Sequence, residues 1–122
     1  MPTFTYTSLD SSIRLLEVLP DKLNGRIQIR LYKTMLPASH QCLPYMWGEP
    51  DEGHEVLVNN QVYSGREDLH TFLEVAAQKL ANKSLWIDTL CIDQGSFTER
   101  SHQVQRSGEI YREASRVLIW FG

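Results

Sequence analysis

The chain has 122 residues and a formal net charge of -3, with 12 Lys and Arg against 15 Asp and Glu. A chain of this length can bury one hydrophobic core, and its 42% hydrophobic and 22% charged residues are typical of a globular domain, not a disordered one. It has no basic cluster of the kind that binds nucleic acid. It also has no apolar run near the ~20 residues of a membrane span. The sequence therefore predicts neither nucleic-acid binding nor a membrane span.

Residues 1–12 have neither the basic start nor the apolar run of a secretory signal, and we expect them to be a loose lead-in to a single domain. The two cysteines, Cys42 and Cys91, and the missing signal favour a reducing, cytoplasmic location over a disulfide scaffold. The histidines and cysteines lack metal-ligand spacing, and the scattered glycines form no phosphate-binding loop. We therefore expect no metal and no cofactor.

The first half of the chain predicts strands. Residues 13–19 form a short apolar run, and residues 26–32 alternate with period two, which indicates a half-buried strand. Residues 42–47 are apolar enough for a buried strand, and a turn rich in glycine and acidic residues ends it. A small hairpin is predicted over residues 55–63, because the asparagines at its centre tolerate a positive φ.

The first helix is predicted over residues 64–81. Ser64 and Glu67 fit a capping box, in which each side chain accepts a hydrogen bond from a backbone N–H of the first turn. One face is apolar at helical spacing. That face comprises Leu69, Phe72, Leu73, Ala76 and Leu80. Residues 84–88 then predict the next strand.

The second helix is predicted over residues 96–115, with Ser96 and Glu99 as its capping box. Its apolar stripe is thinner than that of the first helix. The stripe comprises Val104, Ile110, Tyr111 and Ala114. Residues 116–121 are apolar and predict a final strand.

This order of elements predicts an α/β fold. The second half alternates strand, helix, strand, helix, strand, and its strands are near-continuous apolar runs, as in a parallel sheet covered on both faces. The first half should add antiparallel strands or a hairpin at an edge. Ligands of such sheets bind outside the carboxyl ends of the parallel strands, so a functional face is expected there.

The expected face includes residues 84–94, SLWIDTLCIDQ, which place aromatic, acidic, thiol and amide groups at one strand end. Its candidate residues are Tyr45, Trp47, Gly48, Glu49, Asp88, Cys91 and Gln94. Each has a structural alternative. Trp47-Gly48 could be a turn with a core tryptophan, Asp88 could cap a loop, and Cys91 could be a buried small residue, since no base is paired with it in the sequence.

The first turns of the second helix offer a different kind of site. Glu99, Arg100 and Gln103 are candidates for binding a protein partner. The alternative for Glu99 is structural, because a carboxylate near a helix N-terminus is favoured by the helix dipole and by the capping box.

Three blocks of the sequence resemble the fungal heterokaryon-incompatibility (HET) domain. Residues 43–48, LPYMWG, are similar to its "LSYxWG" signature, and residues 85–94, LWIDTLCIDQ, to its "LWIDAxCINQ" block. Residues 99–122 resemble the third block, "ERxxQVxxMxxIYxxAxxVxxWLG". The blocks stand in the family's order, and the likeness extends over residues 13–122.

The resemblance implies a role in fungal non-self recognition, in which HET domains trigger growth arrest or cell death. It also implies a remote relation to the TIR domain, a flavodoxin-like fold of immune signalling. We therefore expect protein partners or self-association. Because some TIR domains cleave NAD, the first alternative is an NAD-cleaving hydrolase with NAD as its substrate. The second is an inactive fragment.

The chain departs from the family pattern at four places. Pro44 replaces a serine, Ser107 replaces a methionine, and Asp93 replaces a common asparagine. In addition, the essential glutamate of catalytic TIR domains lies on the helix after the third parallel strand, and this chain ends at Gly122. The resemblance therefore implies a domain incomplete at its C-terminus and without NAD turnover.

Overall fold

The computed structural model describes residues 4–7, 9, 12–36, 39–43, 53–65, 67–93 and 95–118. Its strands are β1 (Ile13–Val18), β2 (Gln28–Thr34), β3 (Gln41–Leu43), β4 (His54–Val58), β5 (Gln61–Gly65), β6 (Leu85–Ile87) and β7 (Arg116–Val117). Its helices are α1 (Glu67–Lys79), α2 (Asp88–Cys91) and α3 (Phe97–Arg112). Within these residues the strands form one sheet in the order β5-β4-β2-β1-β6-β3-β7.

The second half of the chain builds the parallel part of the sheet. Strand β3 lies between β6 and β7 and pairs in parallel with both. Leu43 is opposite Ile87, and Cys42 is opposite Val117, so the carboxyl ends of the three strands lie at the same edge. The predicted α/β class with a parallel second half is confirmed.

The first half supplies the predicted hairpin at the opposite edge of the sheet. Strands β4 and β5 are antiparallel, and the turn between them holds Asn59 and Asn60 at φ values of 51° and 66°. The long antiparallel pair β1–β2 lies in the interior instead, because β1 also pairs with β6, and β2 pairs in parallel with β4. Burial of nearly every β1 side chain suits a central strand.

Helix α1 packs its predicted apolar face onto the core. The buried residues of that face are Leu69, Phe72, Leu73 and Ala76. The helix ends at Lys79, two residues before the predicted end, and Asn82 then adopts a left-handed φ of 63°. The Asn82 backbone N–H donates to the carbonyl of Val18, which fixes the helix end beside β1.

Of the two predicted capping boxes, the first is wrong and the second is only half formed. Ser64 lies in β5, and its hydroxyl accepts a hydrogen bond from the backbone N–H of Gly53, because the hairpin extends further than predicted. Ser96 does cap α3, since its hydroxyl accepts from the backbone N–H of Glu99 at 3.3 Å. The Glu99 carboxylate has other partners, described below.

Helix α3 is rotated relative to its predicted stripe. Val104, predicted to face inward, is 62% exposed, whereas Gln103 is 1% exposed and Ile110 is fully buried. Strand β7 is described for two residues, both exposed. The rest of the predicted final strand beyond residue 118, and the predicted strand beyond Leu43, lie outside the described residues.

Candidate functional site

The carboxyl end of β6 is the described part of the predicted functional face. Two of the seven candidates on this face, Asp88 and Cys91, begin and end α2 directly after β6. The other five, Tyr45, Trp47, Gly48, Glu49 and Gln94, lie outside the described residues, as does Pro44.

Asp88 is a half-buried carboxyl at this edge. Burial raises its pKa, although a hydrogen bond from the backbone N–H of Thr89 opposes the rise. Burial, together with the nearby charge of Asp88, raises the pKa of Tyr111 to about 12. Tyr111 in turn stands edge-on against Trp86, with ring centres 5.5 Å apart. A carboxyl with a raised pKa holds its proton more readily, which is a property of general acids.

Cys91 is fully buried, and its surroundings keep it a thiol. Burial raises its pKa to about 12. The sulfur lies 3.5 Å from the backbone N–H nitrogen of Ile87 and 3.9 Å from the carbonyl oxygen of Leu85. Because a nucleophilic cysteine needs its thiolate form, this geometry supports the structural alternative for Cys91.

A buried arginine on β1 connects the elements around this edge. Arg14 is 2% exposed, and its guanidinium donates two hydrogen bonds to the Glu99 carboxylate, at 2.6 and 2.9 Å. It also donates to the carbonyl of Cys91 at 3.2 Å and to that of Thr7 at 2.6 Å. The guanidinium lies 4.6 Å from the ring centre of Tyr6. Arg14 therefore joins β1, α2, α3 and the N-terminal segment.

Glu99 stays ionised inside this network. Burial raises its pKa, but hydrogen bonds from Arg14 and from the backbone N–H of Asp93 outweigh that effect, so the pKa is lowered overall. Asp93 also accepts hydrogen bonds from the backbone N–H groups of Gly95 and Ser96. The charge of Arg14 is thus balanced by Glu99, and the start of α3 is tied to the loop that follows α2.

Two clefts flank the N-terminal segment. The first, of about 350 Å³, is lined by Tyr6, Thr7, Leu9, Asp93, Ser96, Thr98, Glu99, His102 and Gln103. The second, of about 300 Å³, is lined by Phe4, Thr5, Thr7, Arg14, Leu31, Tyr32, Lys33, Asn59 and Gln61. Both are at the small end of the range for small-molecule sites. Thr7 lines both, so residues 4–7, part of the predicted lead-in, separate them.

The three candidates on α3 do not share one surface. Glu99 and Gln103 point towards the domain and line the first cleft, whereas Arg100 is exposed on the other side. The Gln103 Oε1 atom is buried and has no hydrogen-bond partner among the described residues. The guanidinium of Arg100 lies 5.9 Å from the ring centre of Phe97.

Sequence reasoning missed the importance of Arg14 and Tyr6. The signal for Arg14 was present, because a single cation in the apolar run IRLLEV must find a partner if that strand is buried. Tyr6 had no signal of this kind, yet its hydroxyl donates to the carbonyl of Leu90 at 2.9 Å, and burial raises its pKa. Leu9, in the same segment, is also buried.

Comparison with known proteins places the chain in a family. The profile described as "Heterokaryon incompatibility protein (HET)" matches residues 40–122. The chain belongs to the heterokaryon incompatibility (HET) family. The matched residues of this HET domain include the whole parallel half of the sheet and the candidate residues of both predicted sites.

A curated relative supports this placement. The chain is 34% identical over 99 residues to "Heterokaryon incompatibility protein 6, OR allele" of Neurospora crassa. The aligned region covers 70% of the chain and 15% of the relative. The HET chain thus spans less than one sixth of that protein's length. No solved structure matches it at a significant level, so the TIR-like relation stays a prediction.

Two further kinds of feature are absent from the described part of the HET domain. In the part of the chain that the structure describes, no helix is both long and apolar enough to cross a membrane. Among the same residues, no three histidine, cysteine or acidic side chains are grouped as metal ligands.

Proposed function

We propose that this HET-family chain is a signalling domain of fungal non-self recognition, which triggers growth arrest or cell death from the cytoplasm. It acts through contact with a protein partner or with a second copy, and it uses no cofactor. The observation that carries this proposal is the family match over residues 40–122, together with the likeness to a named incompatibility protein.

The geometry supports a binding function more than a catalytic one. Cys91 is held as a thiol, and Glu99, the best-positioned carboxylate of the first cleft, is occupied by Arg14. Both groups therefore stabilise the fold. The exposed side of α3, by contrast, carries side chains with few contacts inside the domain, and these are free to meet a partner.

Inducible expression in a fungal host tests the proposal. We expect the 122-residue chain to slow or arrest colony growth. Arg14→Met breaks the ion pair with Glu99, so this variant should unfold and should no longer affect growth. Arg30→Met is the matched control, because it removes a surface arginine from the neighbouring strand. Unchanged growth, with folded protein confirmed in the cells, contradicts the proposal.

The second candidate is hydrolysis of NAD, and Asp88 is the feature that favours it. Its raised pKa and its position at the carboxyl end of β6 suit a general acid. We nevertheless expect the purified chain to leave NAD intact, as measured by chromatography of the nucleotide products. Turnover that Asp88→Ala abolishes, and that the exposed control Asp21→Ala retains, would establish this candidate.

A further inference from the structure

The outward side of α3 exposes two large apolar side chains to solvent. Phe97 is 75% exposed and Val104 is 62% exposed. They are seven residues apart and therefore lie on the same side of the helix. We define the outer face of α3 as the side that contains them, comprising Phe97, Arg100, Ser101, Val104, Gly108 and Arg112. The opposite side is anchored in the domain by Gln103 and Ile110.

Gly108 leaves the backbone bare at the centre of this face. It lies within the 16-residue helix α3 and does not have a left-handed φ. A Cβ atom built at this position would meet no atom of the described part within 4 Å. Since glycine weakens a helix interior relative to alanine, nothing described in the domain accounts for it. A missing side chain does allow another backbone to approach the helix closely.

The outer face is also locally basic in an acidic protein. Arg100 and Arg112 stand at its margins, and among the described residues neither is paired with a carboxylate. The nearest acidic residues of α3 are engaged elsewhere, Glu99 with Arg14 and Glu109 beside Arg106 at 3.8 Å. Two copies of α3 packed face to face would bring these unpaired cations together, which is unfavourable.

We propose that the outer face of α3 is a docking surface for an acidic amphipathic helix of another protein. Apolar side chains of that helix pack between Phe97 and Val104, its backbone lies against Gly108, and its flanking carboxylates pair with Arg100 and Arg112. This inference rests on the proposed function and deepens it, because it names the surface and the chemistry of the partner.

Binding of two designed peptides tests the docking surface. The first is a fluorescent helix as long as α3, with leucines on one face and glutamates beside them, and the second has lysine at every glutamate position. Titrated with the 122-residue chain, the acidic peptide should bind about tenfold tighter or more, and added salt should weaken it. The double variant Arg100→Glu/Arg112→Glu should reverse the preference.

Two variants separate contact from folding. Gly108→Leu places a side chain where the partner backbone would lie, at a position where a Cβ atom meets no described atom within 4 Å. The variant should therefore keep the circular dichroism spectrum of the wild type. Its affinity for the acidic peptide should fall by about tenfold. Gln78→Leu, which places the same new side chain at an exposed position of α1, is the control for added surface hydrophobicity and should leave binding unchanged.

Three outcomes of the measurements on the purified chain overturn the docking surface. These are equal affinity for both peptides, acidic-peptide binding that Gly108→Leu does not weaken, and a concentration-dependent dimer of the chain that Gly108→Leu abolishes, which would assign the face to a second copy. The proposed function fails separately. Peptide binding without growth arrest removes only the signalling role, and growth arrest that persists in Gly108→Leu removes only the docking surface.

Discussion

At the scale of single residues, Arg14 connects β1 with α2, α3 and the N-terminal segment. A buried ion pair is not always more stabilising than two apolar side chains, because both charges lose their hydration. Its geometry is demanding, however, and the bidentate contact with Glu99 fixes α3 in one position against β1. The ion pair therefore contributes more to the position of α3 against β1 than to the stability of the domain.

Removing one partner of this pair should be costly. We expect Arg14→Met to lower the free energy of unfolding by about 3 kcal/mol, because it leaves the Glu99 carboxylate, which is 14% exposed, without its cation. Arg30→Met, which breaks the surface pair with Glu17, should cost about 1 kcal/mol or less. Urea unfolding followed by tryptophan fluorescence measures both.

The double variant Arg14→Met/Glu99→Gln is the test of coupling. It removes both charges, so its loss should be smaller than the sum of the two single losses. Additive losses would mean that the two groups act independently, contrary to the geometry.

Glu99 also predicts a pH dependence. Its pKa in the folded state lies below the ordinary value, so the unfolded chain binds the proton more readily. The stabilisation is fully present above the ordinary glutamate pKa of about 4.3 and is lost as the pH falls through the lowered folded-state pKa. Urea midpoints measured between neutral and acid pH should fall less steeply in Glu99→Gln than in the wild type.

At the scale of elements, the two helices differ in how far sequence could predict them. The face of α1 followed from apolar periodicity alone. For α3, hydrophobicity predicts that Val104 faces inward, whereas in the structure Val104 is exposed and Gln103 is buried. The rotation of α3 is set by two distant contacts: Glu99 is held by Arg14, and the Ile110 carbonyl lies 2.9 Å from a ring nitrogen of His40. Gln103 lies between these two contacts along α3 and on the same side of the helix, so it faces the domain.

The two predicted helix caps also differ in how well sequence predicted them. Both serines have the same local pattern, but Ser64 is taken up by the hairpin and only Ser96 caps a helix. We expect Ser96→Ala to cost about 1 kcal/mol of stability, since it removes a hydrogen-bond acceptor from the first turn of α3. Ser64→Ala, at an exposed strand position, should change stability by about 0.5 kcal/mol or less. Thermal unfolding compares the two, and equal losses would contradict the assignment.

At the scale of the whole molecule, sequence predicted the longer elements and the parallel half, but neither the short helix α2 nor the order of the strands. The carboxyl ends of β6 and β3 meet as expected because parallel strands share one edge. The central place of β1 depends on its pairing with both β2 and β6, and no local pattern encodes a choice of distant partners. For the same reason, the segment before β1 had no predicted contacts.

That segment gives a prediction at this scale. Deleting residues 1–9 should lower the free energy of unfolding by roughly 2 kcal/mol or more, because it removes the buried Leu9 side chain. The deletion also removes the Tyr6 hydrogen bond to Leu90 and the Thr7 carbonyl that Arg14 contacts. Native-state hydrogen exchange should show faster exchange in β1 and α2 than in α1. Uniform or unchanged exchange would mean that the segment contributes nothing to this part of the fold.

The Arg14–Glu99 pair has a further consequence for synthesis on the ribosome. Its two members are 85 residues apart, and contacts of such long range form late and slow the folding reaction. Until α3 has left the exit tunnel, β1 carries a cation that nothing neutralises in the middle of the future sheet. We therefore expect the nascent chain to reach its final structure only after nearly the whole domain is translated, and until then to depend on chaperones that cover its unpaired strands.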